Sequence, residues 1–146
     1  TEIYTLSLHD ALPIYKKVLI MDDSIVRGNT SWEIVRMLRD FGAKEVYFAV
    51  ACPPVKSPCF YGVDMPTKNE LIAGNMSEDE IQEYLNVDAL LYQKIDDLVE
   101  AVTRKGNHHI DTPCMACLDG NYVANDIDDA KIEEMETMRV NDRNGK

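Results

Sequence analysis

Lys17-Val18-Leu19-Ile20-Met21 runs into Asp22-Asp23-Ser24, and Ile25-Val26-Arg27-Gly28-Asn29-Thr30-Ser31 leads from there into a helical pattern. A short continuous apolar run suits a strand buried on both faces, as in a parallel sheet. A helix begins near Thr30, with Trp32, Ile34, Val35, Met37, Leu38 and Phe41 spaced to line one broad side of it. Gly42 is placed as its C-terminal stop. Glu45 to Ala51 reads as the next strand. Strand, helix, strand in about 35 residues is a βαβ unit, with the right-handed crossover such units nearly always take.

Outward from this unit, Pro53-Pro54 ends the second strand and opens a loop through Lys56, Pro58 and Gly62. Thr67-Lys68-Asn69-Glu70 and Ser77-Glu78-Asp79-Glu80 are capping-box signatures, each opening a short helix. Ala89-Leu90-Leu91-Tyr92 reads as a short strand and Asp96 to Val102 as a helical segment. A loop with His108, His109, Cys114 and Cys117 follows, then an acidic amphipathic helix from about Asp128 to Met138 and a polar tail. Thr1 to Ile14 has no clear period, and Pro13 stops any strand or helix just before the first strong element, so residues 1–14 read as a foreign junction; an authentic but divergent strand is the alternative. The fold class expected is α/β, a Rossmann-like parallel sheet with flanking helices plus a C-terminal helical extension. The division expected is a sheet domain over 15–105 and a cysteine-containing loop, helix and tail over 106–146.

The chain has 146 residues, 26 acidic against 15 basic side chains, and a formal charge of −11. That balance argues against a nucleic-acid binder, because neutralising phosphates takes a basic surface, and against docking to anionic membrane. It leaves open one phosphorylated small molecule, which a few backbone amides can hold. The apolar fraction of 45% suffices for a core. No apolar run approaches the roughly 20 residues of a membrane helix, and no signal-peptide pattern opens the chain. Four cysteines at irregular spacing do not make a disulfide scaffold. A soluble, cytoplasmic domain is the expectation.

The turn after the first strand carries the clearest chemistry. Parallel α/β sheets bind ligands at the C-terminal ends of their strands. A helix N-terminus offers unpaired N–H groups and a positive dipole end to a phosphate. Gly28 lets the backbone approach a ligand, and Thr30 and Ser31 add hydroxyls. Asp22 and Asp23 suit the vicinal hydroxyls of a ribose, or Mg²⁺ held through water. Hydroxyls beside a phosphate describe a ribose 5-phosphate; solvated turn aspartates, one of them a helix cap, are the competing reading. The string is neither a Walker A loop nor a dinucleotide fingerprint. Cys114-Met115-Ala116-Cys117 is a C-x-x-C whose thiolates can reach one metal centre, zinc or iron–sulfur, though a redox role and coincidence compete. Cys52 reads as a small buried residue, and His108 and His109 as exposed loop residues.

Met21 to Ser31 resembles the phosphoribosylpyrophosphate (PRPP) motif of type I phosphoribosyltransferases, in particular of the glutamine-dependent amidophosphoribosyltransferases. The likeness continues through Gly42 to Phe48, Pro58 to Met65, Glu70 to Ala73 and Cys117 to Tyr122, and covers nearly all of the chain from Tyr15. Asn29 departs from it, standing where the family usually has Thr. The resemblance implies a partial type I phosphoribosyltransferase domain, its C-terminal part. Asp22 and Asp23 would hold the ribose hydroxyls and Mg²⁺–PRPP, with Ser24 in the same motif, and Arg27, Gly28, Asn29, Thr30 and Ser31 would cradle the 5-phosphate. It implies formation of 5-phosphoribosylamine from PRPP and glutamine-derived ammonia, the first step of de novo purine biosynthesis, in a homo-oligomer.

One branch of the family carries a structural [4Fe–4S] cluster, and Cys59, Cys114 and Cys117 match three of its four ligands, the fourth lying upstream. Residue 1 is Thr and no Cys precedes Cys52, so the glutaminase domain with its catalytic cysteine is read as absent, along with the pyrophosphate-binding loop and the lid. This chain alone is then expected to be inactive and to bind PRPP weakly. The alternative is a non-catalytic PRPP-binding regulator on the same fold. A plain metal-binding interaction module is a third reading.

Overall fold

The computed structural model describes residues 14–63, 65–103, 112–124, 127–143 and 145. Strands β1 (Lys17–Asp22), β2 (Glu45–Val50) and β3 (Ala89–Tyr92) form a parallel sheet in the order β1-β2-β3. Helix α1 (Asn29–Asp40) connects β1 to β2. A 3₁₀ turn (Lys68–Glu70), α2 (Ile72–Asn75) and α3 (Glu78–Leu85) lie between β2 and β3. Helices α4 (Ile95–Thr103), α5 (Ala116–Asp119) and α6 (Asp129–Arg143) follow. The register pairs Asp22 with Val50 and Val50 with Tyr92, so all three strands end level at one edge of the sheet.

Period-two alternation decides which strand residues enter the core. Val46, Phe48 and Val50 of β2 are buried on one face. Val18 and Ile20 of β1, and Leu90 and Tyr92 of β3, pack on the same core. Val35 of α1, Ile72 and Ala73 of α2, and Ile81 and Leu85 of α3 cover them. At the opposite, N-terminal edge, Asp88 Oδ2 accepts from the Val46 N–H and from Arg39 Nη2, both at 2.7 Å. Arg39 also donates to the carbonyls of Lys44 and Asn86. One side-chain pair thus fixes the end of α1 and the starts of β2 and β3.

Two expectations need correction. β1 is not buried on both faces: Leu19 is 58% exposed and Met21 78%. They share the outer face with Tyr47, Ala49 and Leu91, and the helices that make the core lie on the inner face alone. A continuous apolar run reports the strand but not how many helical layers cover it. The buried stripe of α1 is also narrower than the sequence suggests. Ser31 and Val35 are buried, Ile34 and Leu38 half-buried, and Trp32, Met37 and Phe41 exposed. The Trp32 ring instead lies against the Arg36 guanidinium, 5.1 Å from its centroid.

Both capping boxes form, Thr67 with Glu70 and Ser77 with Glu80. Gly42, at φ 84°, follows α1 as its stop. The short α5, not anticipated, takes in Cys117. It docks on the loop after β2: the Cys117 carbonyl accepts from the N–H groups of Lys56 and Ser57 at 2.9 and 3.0 Å. A second small core of Val55, Leu71 and Leu118 forms beneath this contact. α6 turns Ile132, Met135, Glu136 and Arg139 inward at helical spacing. Arg139 reaches the Cys59 carbonyl at 2.7 Å and lies 5.0 Å from the Phe60 ring centroid. His108, His109 and residues 1–13 of the junction segment lie outside the described residues. No helix among the described residues is long and apolar enough to cross a membrane.

Candidate functional site

Asp22 is the last residue of β1, and the chain turns from it into α1 within six residues, Asp23 to Gly28. Gly28 is the N-cap at φ 79°, a left-handed conformation that glycine adopts without penalty. Its carbonyl accepts from the Trp32 N–H at 2.9 Å, closing the first helical turn. No side chain caps this N-terminus, and no acidic residue stands in its first turn. The leading N–H groups and the positive end of the dipole therefore stay available to an anion from outside.

A cleft of about 410 Å³ opens over this turn, lined by Asp22, Ser24, Val26, Arg27, Gly28, Asn29, Thr30 and Ser31. Seven of the eight residues singled out in the sequence thus meet on one concave surface. Asp23 stands beside it: its carboxylate accepts from the Ser24 hydroxyl at 3.2 Å, while Asp22 Oδ1 accepts from the Asp23 N–H at 2.9 Å. Each aspartate keeps acceptor capacity, so the pair presents hard oxygen donors next to an uncapped helix end. Two carboxylates plus ligand and water oxygens suit Mg²⁺.

The back wall of the turn was not legible in the sequence. The Ile72 N–H donates to the Val26 carbonyl at 2.9 Å. A Cβ on Gly28 would stand 2.7 Å from Ile72 Cδ1 and 3.4 Å from Tyr84 Cε1. Glu70 accepts from Arg27 Nε at 3.2 Å and Nη2 at 2.8 Å through Oε1, and from the N–H and hydroxyl of Thr67 at 2.9 Å through Oε2. The Thr67 amide, then Arg27 and the Thr67 hydroxyl, hold the Glu70 carboxyl down to about 2. The capping box announced the Thr67 half of this arrangement; nothing in the spacing of residues 27 and 70 announced the other.

The cysteines form a separate region. Docking of α5 on the loop after β2 brings Cys117 to the segment that holds Cys59, and the Tyr61 N–H donates to Cys59 Sγ at 3.4 Å. Burial, then nearby Cys52, raises the Cys117 thiol; burial, then Asp23, raises Cys52. Cys52 packs half-buried on the small core, close to its expected role. Cys114 is exposed. Among the described residues no three His, Cys, Asp or Glu side chains stand close enough to hold a metal ion. As placed, Cys59, Cys114 and Cys117 do not by themselves make a cluster site.

No protein-family profile matches the chain. Curated proteins do. An amidophosphoribosyltransferase of Methanocaldococcus jannaschii is 49% identical over 107 residues, 73% of this chain and 21% of that protein. That of Escherichia coli is 42% identical over 127 residues, 87% of this chain and 25% of that protein. Among solved structures, the glutamine PRPP amidotransferase of B. subtilis complexed with ADP and GMP superposes with a TM-score of 0.71 at 39% identity, covering 82% of this chain and 26% of that one. The chain spans about a quarter or less of the length of these relatives. Over the stretch it shares with them, the chain is similar to a part of the amidophosphoribosyltransferases.

Proposed function

We propose that this chain carries the ribose 5-phosphate half of a PRPP site, within a protein that makes 5-phosphoribosylamine from PRPP and glutamine-derived ammonia for purine biosynthesis. The observation that carries the reading is the uncapped N-terminus of α1 opening into a cleft beside Asp22 at the C-terminal end of β1. The N–H groups of the Gly28–Ser31 turn take the 5-phosphate, and the Asn29, Thr30 and Ser31 side chains add polar contacts. Asp22 and Asp23 accept from the ribose 2- and 3-hydroxyls and hold the sugar with its anomeric carbon open to attack. As ammonia adds and pyrophosphate departs, the sugar passes through an oxocarbenium-like state, and the two carboxylates stabilise that positive charge. Asp22 and Asp23 would hold Mg²⁺, which would offset charge on the leaving pyrophosphate.

Calorimetric titration of PRPP with Mg²⁺ into the purified chain tests the reading. Weak but saturable binding is expected, lost in Asp22→Asn/Asp23→Asn, with no steady release of pyrophosphate when ammonia is added. Binding that survives the double substitution would sink it. The longer protein is proposed to be cytoplasmic and homo-oligomeric, and to carry a structural iron–sulfur cluster on Cys59, Cys114, Cys117 and a fourth ligand from outside this chain. Failure of a longer polypeptide to gain iron-dependent absorbance on anaerobic reconstitution with iron and sulfide would remove it.

A further inference from the structure

Among the described residues that line the phosphate cleft, Arg27 is the one cation, which makes a salt bridge to the phosphate its obvious role. The side chain is already engaged. Nε and Nη2 both donate to Glu70 Oε1. Glu70 does not line the phosphate cleft; it lines an adjoining cavity of about 220 Å³ with Ile72, Asn75, Met76 and Tyr84, and Arg27 borders both. Glu70 cannot swing freely toward the cleft, because its other oxygen is held by the amide and hydroxyl of Thr67.

Three consecutive residues of the turn thus rest on one segment. Val26 is held through its carbonyl on the Ile72 N–H, Arg27 through its guanidinium on Glu70, and Gly28 by close approach to Ile72. The backbone N–H groups that meet the phosphate follow directly after this clamp. A phosphate recruiting Arg27 would have to compete with a two-point, charge-assisted contact. Backbone donors and the dipole at a helix N-terminus can hold a phosphate without such a cation.

We infer that Glu70 is a positioning residue and that Arg27 is a strut holding the turn in its phosphate-accepting shape, not a ligand of the phosphate. The inference rests on the proposed phosphate site and goes further, since it removes Arg27 from the ligand set.

A double-mutant cycle on the full chain tests it, with Arg27→Gln, Glu70→Gln and the pair. Each variant is titrated with ribose 5-phosphate plus Mg²⁺ and melted thermally without ligand. A strut predicts that each single change weakens binding by about tenfold and that the pair is no worse than the weaker single. The Arg27 Nε–H resonance should shift and exchange faster in Glu70→Gln. Ser77→Ala, which loosens the next capping box, should lower the melting temperature without changing affinity. Loss of binding in Arg27→Gln with retained or tighter binding in Glu70→Gln would overturn the inference, as would additive losses in the pair. If the parent chain binds no ribose 5-phosphate, the functional reading fails on its own. The melting cycle and the Nε–H resonance then still decide the strut: additive melting changes, or an unchanged resonance in Glu70→Gln, would overturn it.

Discussion

Glu70 holds Arg27 with one oxygen and Thr67 with the other, and the chemistry of that sharing sets a pH dependence. Its carboxyl is held at about 2 against an ordinary 4.5, so the folded state favours the ionised form. The unfolded chain takes up this proton first as the medium is acidified. The stabilisation is therefore whole above pH 4.5 and lost as pH falls through about 2. The side chain is 37% exposed, so water screens the contact and the effect is small. Urea midpoints followed across that window should fall less in Glu70→Gln than in the parent; identical slopes would contradict the assignment. Gly28 gives the second prediction at this scale. Alanine there would carry φ 79° with a Cβ pressed on Ile72. Left-handed backbone costs a non-glycine residue roughly 1–2 kcal/mol, and the close contact adds to it. Gly28→Ala should lower the urea midpoint and weaken phosphate binding together, whereas Gly62→Ala, with nothing within 4 Å of the added Cβ, should leave binding unchanged.

At the scale of elements, β2 is the strand on which the fold depends. It pairs on both sides and buries Val46, Phe48 and Val50 beneath the helices. Phe48 is fully buried, so Phe48→Ala should cost about 3–5 kcal/mol in denaturant unfolding, and Phe48→Leu markedly less. Equal losses in the two would mean that the core around Phe48 is loosely packed. α1 has a different division of labour. Ser31 and Val35 anchor it on the core while no side chain caps its N-terminus, so the helix is fixed by its inner stripe and its end groups stay uncapped. Most of this was readable: the strands, the helix, its glycine stop and both capping boxes stand where the sequence puts them. The width of the helix stripe was not, because six apolar residues at helical spacing do not say which of them a partner surface reaches. Only Val35 meets the core fully.

Among the described residues, helices make the core on one face of the sheet and leave the other largely open. Leu19, Met21 and Leu91 lie on that outer face, all more than half exposed. An apolar surface of this kind, continuous with a six-residue edge strand, is an association hazard. The chain should self-associate with rising concentration, and Leu19→Lys/Met21→Lys should reduce that by light scattering without lowering the melting temperature. Scattering that is independent of concentration in the parent chain would refute this.

The sequence by itself determined the βαβ order, the acid pair at the end of β1, the glycine entering α1 and the likeness to amidophosphoribosyltransferases, because each is a local pattern with its own physical cause: an apolar run, a charge at a strand end, a positive φ, a string of residues. Tertiary structure alone decided that Glu70 and Ile72 back the turn, that Arg27 is engaged on a carboxylate 43 positions away, and that the described helices cover one face of the sheet. Those are contacts between segments far apart in the chain. They depend on how the connection between β2 and β3 folds over the sheet, and no periodicity within either segment encodes them.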